Sequence, residues 1–166
     1  MAEVRRNARG AVILDDRYAP LIITTFLGDA NLELGQWFME ANRRVLVSQA
    51  ALGRRVISIV DATHARKPTP EMRKFWADMS NGYGDNVRNA SLANFIVVNN
   101  SLIRGAITAI AWLSPTLRAL ESFATMEEAL DQALLRLSKA GIAAPKLRTP
   151  YALPDGGQKA RAAFGA

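Results

Sequence analysis

Asp61, Thr63 and His64 stand within four residues of one another, and Asn99, Asn100 and Ser101 make a second polar run further along the chain. An acid, a hydroxyl and an imidazole are the parts of a nucleophile and its base, but acyl transfer needs them to converge from separate places. Three groups on one loop seldom do so. Asp, Asn, Ser and Thr are also the ordinary residues of turns and helix caps, so capping is the expectation for both runs, with His64 turned to solvent. A third hydroxyl, Thr69, precedes Pro70 and Glu71. That order is a helix start: an N-cap, a proline at the first helical position and an acid in the first turn. Phosphate on Thr69 would meet a helix dipole and free amides, yet a plain cap accounts for the residue. Cysteine is absent and His64 is the single histidine. Thiolate chemistry is excluded, a His-rich metal site is not expected, and no catalytic residue, metal or cofactor is assigned.

The net charge of +6 invites a nucleic-acid reading until it is placed along the chain. Residues 1–10 carry +2, residues 139–166 carry +4, and the stretch between them is neutral, with 13 basic and 13 acidic side chains. A neutral body offers no basic face to phosphates. The sequence therefore divides into a basic N-terminal segment over 1–10, a domain over 11–140 and a basic tail over 141–166. The tail is rich in Ala, Pro and Gly, lacks periodicity and reads as flexible; it could tether the protein weakly to nucleic acid or a membrane. The most apolar stretch, Leu102 to Leu113, is interrupted by Arg104 and falls well short of the roughly 20 residues that span a bilayer. No apolar segment follows the basic start as a secretory signal would require, so a soluble cytoplasmic protein is expected.

The elements that would position these residues alternate. Ala11–Leu14 and Leu21–Phe26, joined across Asp15-Asp16-Arg17-Tyr18, read as a hairpin. From Asn31, apolar residues at Leu34, Trp37, Phe38, Ala41 and Val45 recur at three and four, the period of a helix. Val56–Val60 is a continuous apolar run ending at Asp61, as in a central strand covered on both faces. The helix from Thr69 carries Met72, Phe75, Trp76 and Met79 on one stripe, and continuation past Gly82 and Gly84 with a kink is favoured. Leu92–Val98 is the next strand and Leu102–Leu113 the next helix. Leu117–Phe123, after Pro115, reads as an edge strand. Thr125 with Glu128 forms a capping box for a helix that Gly141 stops. Strands alternating with helices make one α/β domain: a mixed central sheet opened by a β-hairpin, with about four helices.

The helix 102–113 has one stripe of Ile103, Ala106, Ile107 and Ile110 and a second face of Leu102, Gly105, Ala109 and Trp112. A helix apolar around so much of its circumference cannot bury all of it against one sheet. If the central strands are parallel, their carboxyl ends share the edge where open α/β sheets place ligands. That edge would collect Asp61, Thr63, Thr69, Asn99 and Ser101 as a ligand or phospho-acceptor edge.

This order is similar to the STAS domain, the fold of anti-sigma-factor antagonists and of the cytoplasmic part of sulphate transporters. Val60-Asp61-Ala62-Thr63 looks like the end of that family's central strand. Phe95-Ile96-Val97-Val98, followed by Leu102 to Ile110, resembles bacterial STAS-like proteins of the SpoIIAA-like branch, related in fold to lipid-carrying SEC14 domains. Antagonists of this family carry an Asp-Ser-Ser-Gly-type sequence at the helix start, with the phosphorylated serine there. Lys67-Pro68-Thr69-Pro70-Glu71 stands in its place, so the resemblance does not extend to a serine phosphoswitch. It implies a non-enzymatic regulatory module working through contacts with a protein partner, itself unidentified, and the surplus apolar face of the helix 102–113 makes a homodimer the further expectation. Leu102, Arg104, Gly105, Ala109 and Trp112, helped by Trp76, are the candidate interface. The alternative it implies is a carrier or sensor of a lipid or other hydrophobic small molecule, its pocket lined by the aromatic residues Trp37, Phe38, Phe75, Trp76 and Trp112.

Overall fold

Two β-branched runs set the sheet: β2 (Gly10–Asp15) and β3 (Leu21–Gly28) pair antiparallel from Gly10↔Gly28 to Asp15↔Ile23. The structure, a computed structural model, describes residues 1–114, 119–147 and 150–164, apart from the Asn86 side chain. Its six strands lie in chain order: β1 (Ala2–Arg6), β2, β3, β4 (Val56–Ala65), β5 (Ser91–Val97) and β6 (Leu120–Phe123). β1 to β3 are antiparallel and β3 to β6 parallel, so the sheet is mixed, as expected.

Period-two alternation sends each strand's side chains to two covered faces. On one face Val12, Leu14, Ile22, Phe26 and Val56 pack under α1 (Leu32–Ala51), α2 (Pro70–Asn81) and α3 (Asp85–Ala90), and Ala62, Ile96 and Val98 under α4 (Ser101–Leu113). On the other, Ile23, Ile57, Ile59, Phe95 and Val97 pack under α5 (Met126–Lys139), and Ala11, Ile13 and Leu27 under α6 (Asp155–Phe164). The crossovers β3–α1–β4, β4–α2–α3–β5 and β5–α4–β6 all use the first face, as one shared crossover hand requires. Gly35 lets α1 and α2 approach: a Cβ there would lie 3.0 Å from Met72 Cε and from Phe75 Cε1.

Four expectations are corrected. The segment 1–10 is not an appendage, since β1 forms the sheet edge beside β2. Its charge is absorbed locally: Arg5 pairs with Glu33 at 3.3 Å and Arg9 with Asp29, while Glu3 accepts Arg44 at 2.7 Å. The tail is not free over 155–164, because α6 lies on β1, β2 and β3 with Ala160 wholly buried. The helix from Thr69 does not continue with a kink; it ends at Asn81 and α3 begins at Asp85. Tyr83 explains the break, since leaving the helix lets its hydroxyl reach Asn42 on α1 at 3.0 Å. Finally, β4 runs on to Ala65, so Asp61, Thr63 and His64 are strand residues. His64 is half-buried there, its Nε2 accepting from Arg161 Nη2 of α6 at 3.0 Å. The expected strand from Leu117 is found as β6; Pro115 and residues 116–118 lie outside the described residues.

Candidate functional site

The strands β4 and β5 are parallel, so their carboxyl ends do share one edge. The polar residues there are occupied locally. Asp61 Oδ1 accepts from the Thr63 amide at 3.0 Å and from the Thr63 hydroxyl at 2.6 Å. Thr69 caps α2, its Oγ1 accepting from Met72 N at 3.3 Å. Its hydroxyl, with the backbone N–H of Glu71, also holds the Glu71 carboxyl below its ordinary range, the backbone contribution being larger. Asn100, exposed beside Asn99 and Ser101, caps α4 through Leu102 N at 2.8 Å. Among the described residues no hydrogen bond joins the Asp61–Thr63 pair to the Asn99–Ser101 run. Among the described residues this edge gathers caps and turns.

The helix α4 divides as its two stripes require. Ile103, Ala106 and Ile110 are buried against the sheet. On the outside Leu102 is 64% exposed, Trp112 78% and Leu113 57%, with nothing within 4 Å of a Cβ built on Gly105 between them. Arg104 is exposed as well, its Nη2 donating to Val98 O at 3.2 Å across the β5–α4 turn. Trp76, the remaining residue of the expected interface, lies on α2. It is half-buried and packs edge-on against Phe26 and Phe38, each at 5.7 Å between ring centroids, and against Phe75 at 5.2 Å.

Between the first layer of helices and the sheet lies a partly open cavity of about 230 Å³. Its roof is Phe38 of α1, Trp76 of α2 and Ile103, Ile107 and Ile110 of α4. Its floor includes Ser58 of β4 and Asn94 of β5, which are direct neighbours in register. Asn42 and Tyr83 line it too, and burial pushes the Tyr83 hydroxyl above its ordinary range, partly offset by its bond to Asn42. Tyr83 is therefore a neutral donor and acceptor, not an acid. The sequence reading missed Ser58, Asn94 and Tyr83. The signal was present: Ser58 and Asn94 interrupt strand runs at positions that period-two alternation assigns to a covered face.

Comparison with solved structures fits this architecture. An anti-sigma factor antagonist from Mycobacterium paratuberculosis superimposes with a TM-score of 0.50 at 12% identity, covering 79% of this chain and 94% of its own. The fold is that of the STAS domain, the SpoIIAA-like fold. A second structure, an uncharacterised protein with a SpoIIAA-like fold from Shewanella loihica, matches at 15% identity and a TM-score of 0.45, covering 80% of this chain and 92% of its own. No protein-family model and no curated protein matches the sequence. In this STAS fold the segment Lys67 to Glu71 leads into α2, and its one hydroxyl is the capping Thr69. Among the described residues no helix is long and apolar enough to cross a membrane, and no group of three or more metal-ligating side chains occurs.

Proposed function

We propose that this STAS-like domain is a non-enzymatic, cytoplasmic regulatory module that acts through protein contacts and associates with itself through the outer face of α4. The observation that carries the reading is the exposure of Leu102, Trp112 and Leu113 around the open notch at Gly105. Contiguous apolar surface of this kind on a soluble domain marks a contact site, and a tryptophan is the commonest anchor of one. A second copy is the occupant that the helix itself suits. Leu102, Gly105, Ala109 and Trp112 are placed symmetrically about position 107. Two antiparallel copies of α4 related by a two-fold axis would set Trp112 against the partner's Leu102 and Gly105 against the partner's Ala109, the self-complementary arrangement of an isologous dimer. The fold it shares with an anti-sigma factor antagonist agrees with a regulatory role.

Light scattering tests this directly. The wild-type chain is expected at twice its subunit mass and Trp112→Glu at the subunit mass with an unchanged circular dichroism spectrum. A monomeric wild type, or a dimer that survives Trp112→Glu, overturns the self-association.

The cavity favours a second reading, a carrier or sensor of a hydrophobic small molecule. Its volume of about 230 Å³ is below the roughly 300–1,000 Å³ of drug-sized ligand pockets and leaves no room for a two-chain lipid.

A further inference from the structure

Ser58 and Asn94 are out of place for a sheet face under helices. Their register partners on either side are Ile22 and Leu120, so one row across the sheet reads Ile22, Ser58, Asn94, Leu120. The row has apolar ends and a hydroxyl beside a carboxamide at its centre. The roof above is aromatic and aliphatic. Among the described residues neither polar side chain takes part in a hydrogen bond, and at the start of β5 the Ser91 hydroxyl, also lining the cavity, is buried without a partner. Ser58 and Asn94 are half-buried, so with the Ser91 hydroxyl they leave polar groups on the cavity floor free to pair with a molecule that enters it.

The cavity's charges sit elsewhere. Arg66 follows the carboxyl end of β4 and Arg88 precedes the amino end of β5, so in these parallel strands they flank opposite ends of the floor. Arg88 is engaged with Asp85 at 3.5 Å and with Asn81 O at 3.1 Å. Among the described residues no acidic side chain lines the cavity. A charge at the centre of the floor would be desolvated without a counter-ion, whereas a neutral polar group would not. Scaled from an engineered cavity of about 150 Å³ that holds benzene, the space suits roughly nine non-hydrogen atoms.

We propose that the cavity is a binding site for a small neutral molecule with an apolar, ring-sized body and one carbonyl, amide or hydroxyl group, read by Ser58 and Asn94. The proposal rests on the carrier or sensor reading and adds to it the chemical class of the ligand. Because Ile103, Ile107 and Ile110 roof the cavity from the inner side of α4, occupancy is reported by the helix whose outer side bears Trp112.

Three probes of nearly equal size test it: benzamide, cumene and benzoate, titrated into the full chain while the methyl resonances of Ile103, Ile107 and Ile110 are followed by NMR. The expected result is saturable shifts with benzamide, affinity about fivefold above cumene, the factor one net hydrogen bond supplies, and benzoate weakest. Asn94→Leu should abolish the preference for benzamide while keeping cumene binding, and Ser58→Ala, the milder change, should reduce it. Shifts with none of the probes overturn the carrier reading and the proposal together. Equal binding of benzamide and cumene by the wild type, or a preference that survives both variants, overturns the polar recognition alone and leaves the cavity an apolar site. Tightest binding of benzoate overturns the assignment of a neutral ligand.

Discussion

Tyr151 donates its phenolic hydrogen to the carboxylate of Asp15 at 3.1 Å, although 136 positions separate them in the chain. Asp15 ends β2 with no exposed surface, and Arg17 grips it in a fork, Nε and Nη2 each at 2.8 Å from a carboxylate oxygen. A buried carboxylate is tolerable here because both its oxygens accept from Arg17 and one also from Tyr151. The tyrosine thereby fastens the segment leading to α6 onto the opening hairpin.

That contact makes stability depend on alkali. Burial, followed by the charge of Asp15, pushes the Tyr151 hydroxyl above its ordinary range. A group whose pKa is raised on folding contributes fully below its unfolded value of about 10, and the contribution is lost as pH rises beyond it. Thermal melts between pH 8 and 11 should therefore fall more steeply for the wild type than for Tyr151→Phe. Near neutrality the substitution should cost about 1 kcal/mol, one hydrogen bond to a carboxylate that Arg17 still satisfies. Parallel pH profiles would remove Tyr151 from this role.

Removing residues 151–166 should do more. Ala11, Ile13 and Leu27 have no exposed surface beneath α6, and uncovering them should cost about 3 kcal/mol. Hydrogen exchange would show it as lost protection in β2 and β3 with β4 and β5 less affected. Retained protection there would return the segment to the status of an appendage.

The same segment shows where the sequence stopped being legible. Asp155-Gly156-Gly157 at the start of a helix argues against helix on propensity. A Cβ on Gly157 would meet Ile13 Cγ1 at 3.2 Å and Leu153 Cβ at 3.3 Å, and one on Gly156 would meet Val4 Cγ2 at 3.2 Å. The glycines that lower the local preference for helix are those that let α6 lie close on the sheet, and only tertiary contact reveals that. Local signals elsewhere were sufficient: Asn31, Thr69 and Thr125 each cap the helix that their spacing predicts. The outer face of α4 was readable from its own periodicity, whereas the cavity was not, because it is built from four helices and the register of β4 on β5.

Thr69 separates capping from signalling. Thr69→Ala should cost about 1 kcal/mol in chemical denaturation, and Thr69→Ser should be nearly silent, since either hydroxyl can accept from Met72 N. The depressed Glu71 carboxyl gives the start of α2 a contribution present above the ordinary carboxylate range and lost as pH falls through the folded value. The difference between wild type and Thr69→Ala should accordingly shrink in acid. A constant difference down to pH 3 would mean the hydroxyl does not hold Glu71.

Tyr83 tests the break between α2 and α3. Its hydroxyl is the partner of Asn42 Nδ2, and Asn42 is buried. Tyr83→Phe leaves that amide unpaired and should cost about 2 kcal/mol. Asn42→Leu combined with Tyr83→Phe removes both polar groups and should recover part of the loss. A double-mutant cycle reads the coupling, and additive losses would show that the bond does not hold α1 to the junction.

Gly105 distinguishes what α4 does for the fold from what it does for assembly. A Cβ there meets nothing within 4 Å in the protomer, and glycine in a helix interior is unfavourable by roughly 0.5–1 kcal/mol relative to alanine. Gly105→Ala should therefore raise the stability of the isolated subunit by about that amount, measured by denaturation at high dilution. Gly105→Leu starts from the same open position and would fill the notch that the two-fold arrangement reserves for the partner's Ala109. It should raise the unfolding midpoint of the diluted protein much as alanine does, since leucine also relieves the helix penalty of glycine, while shifting the light-scattering mass from dimer to monomer. A lowered midpoint with the dimer intact would mean that the notch serves the subunit's own packing, and the outer face of α4 would then have no claim to be where two copies meet.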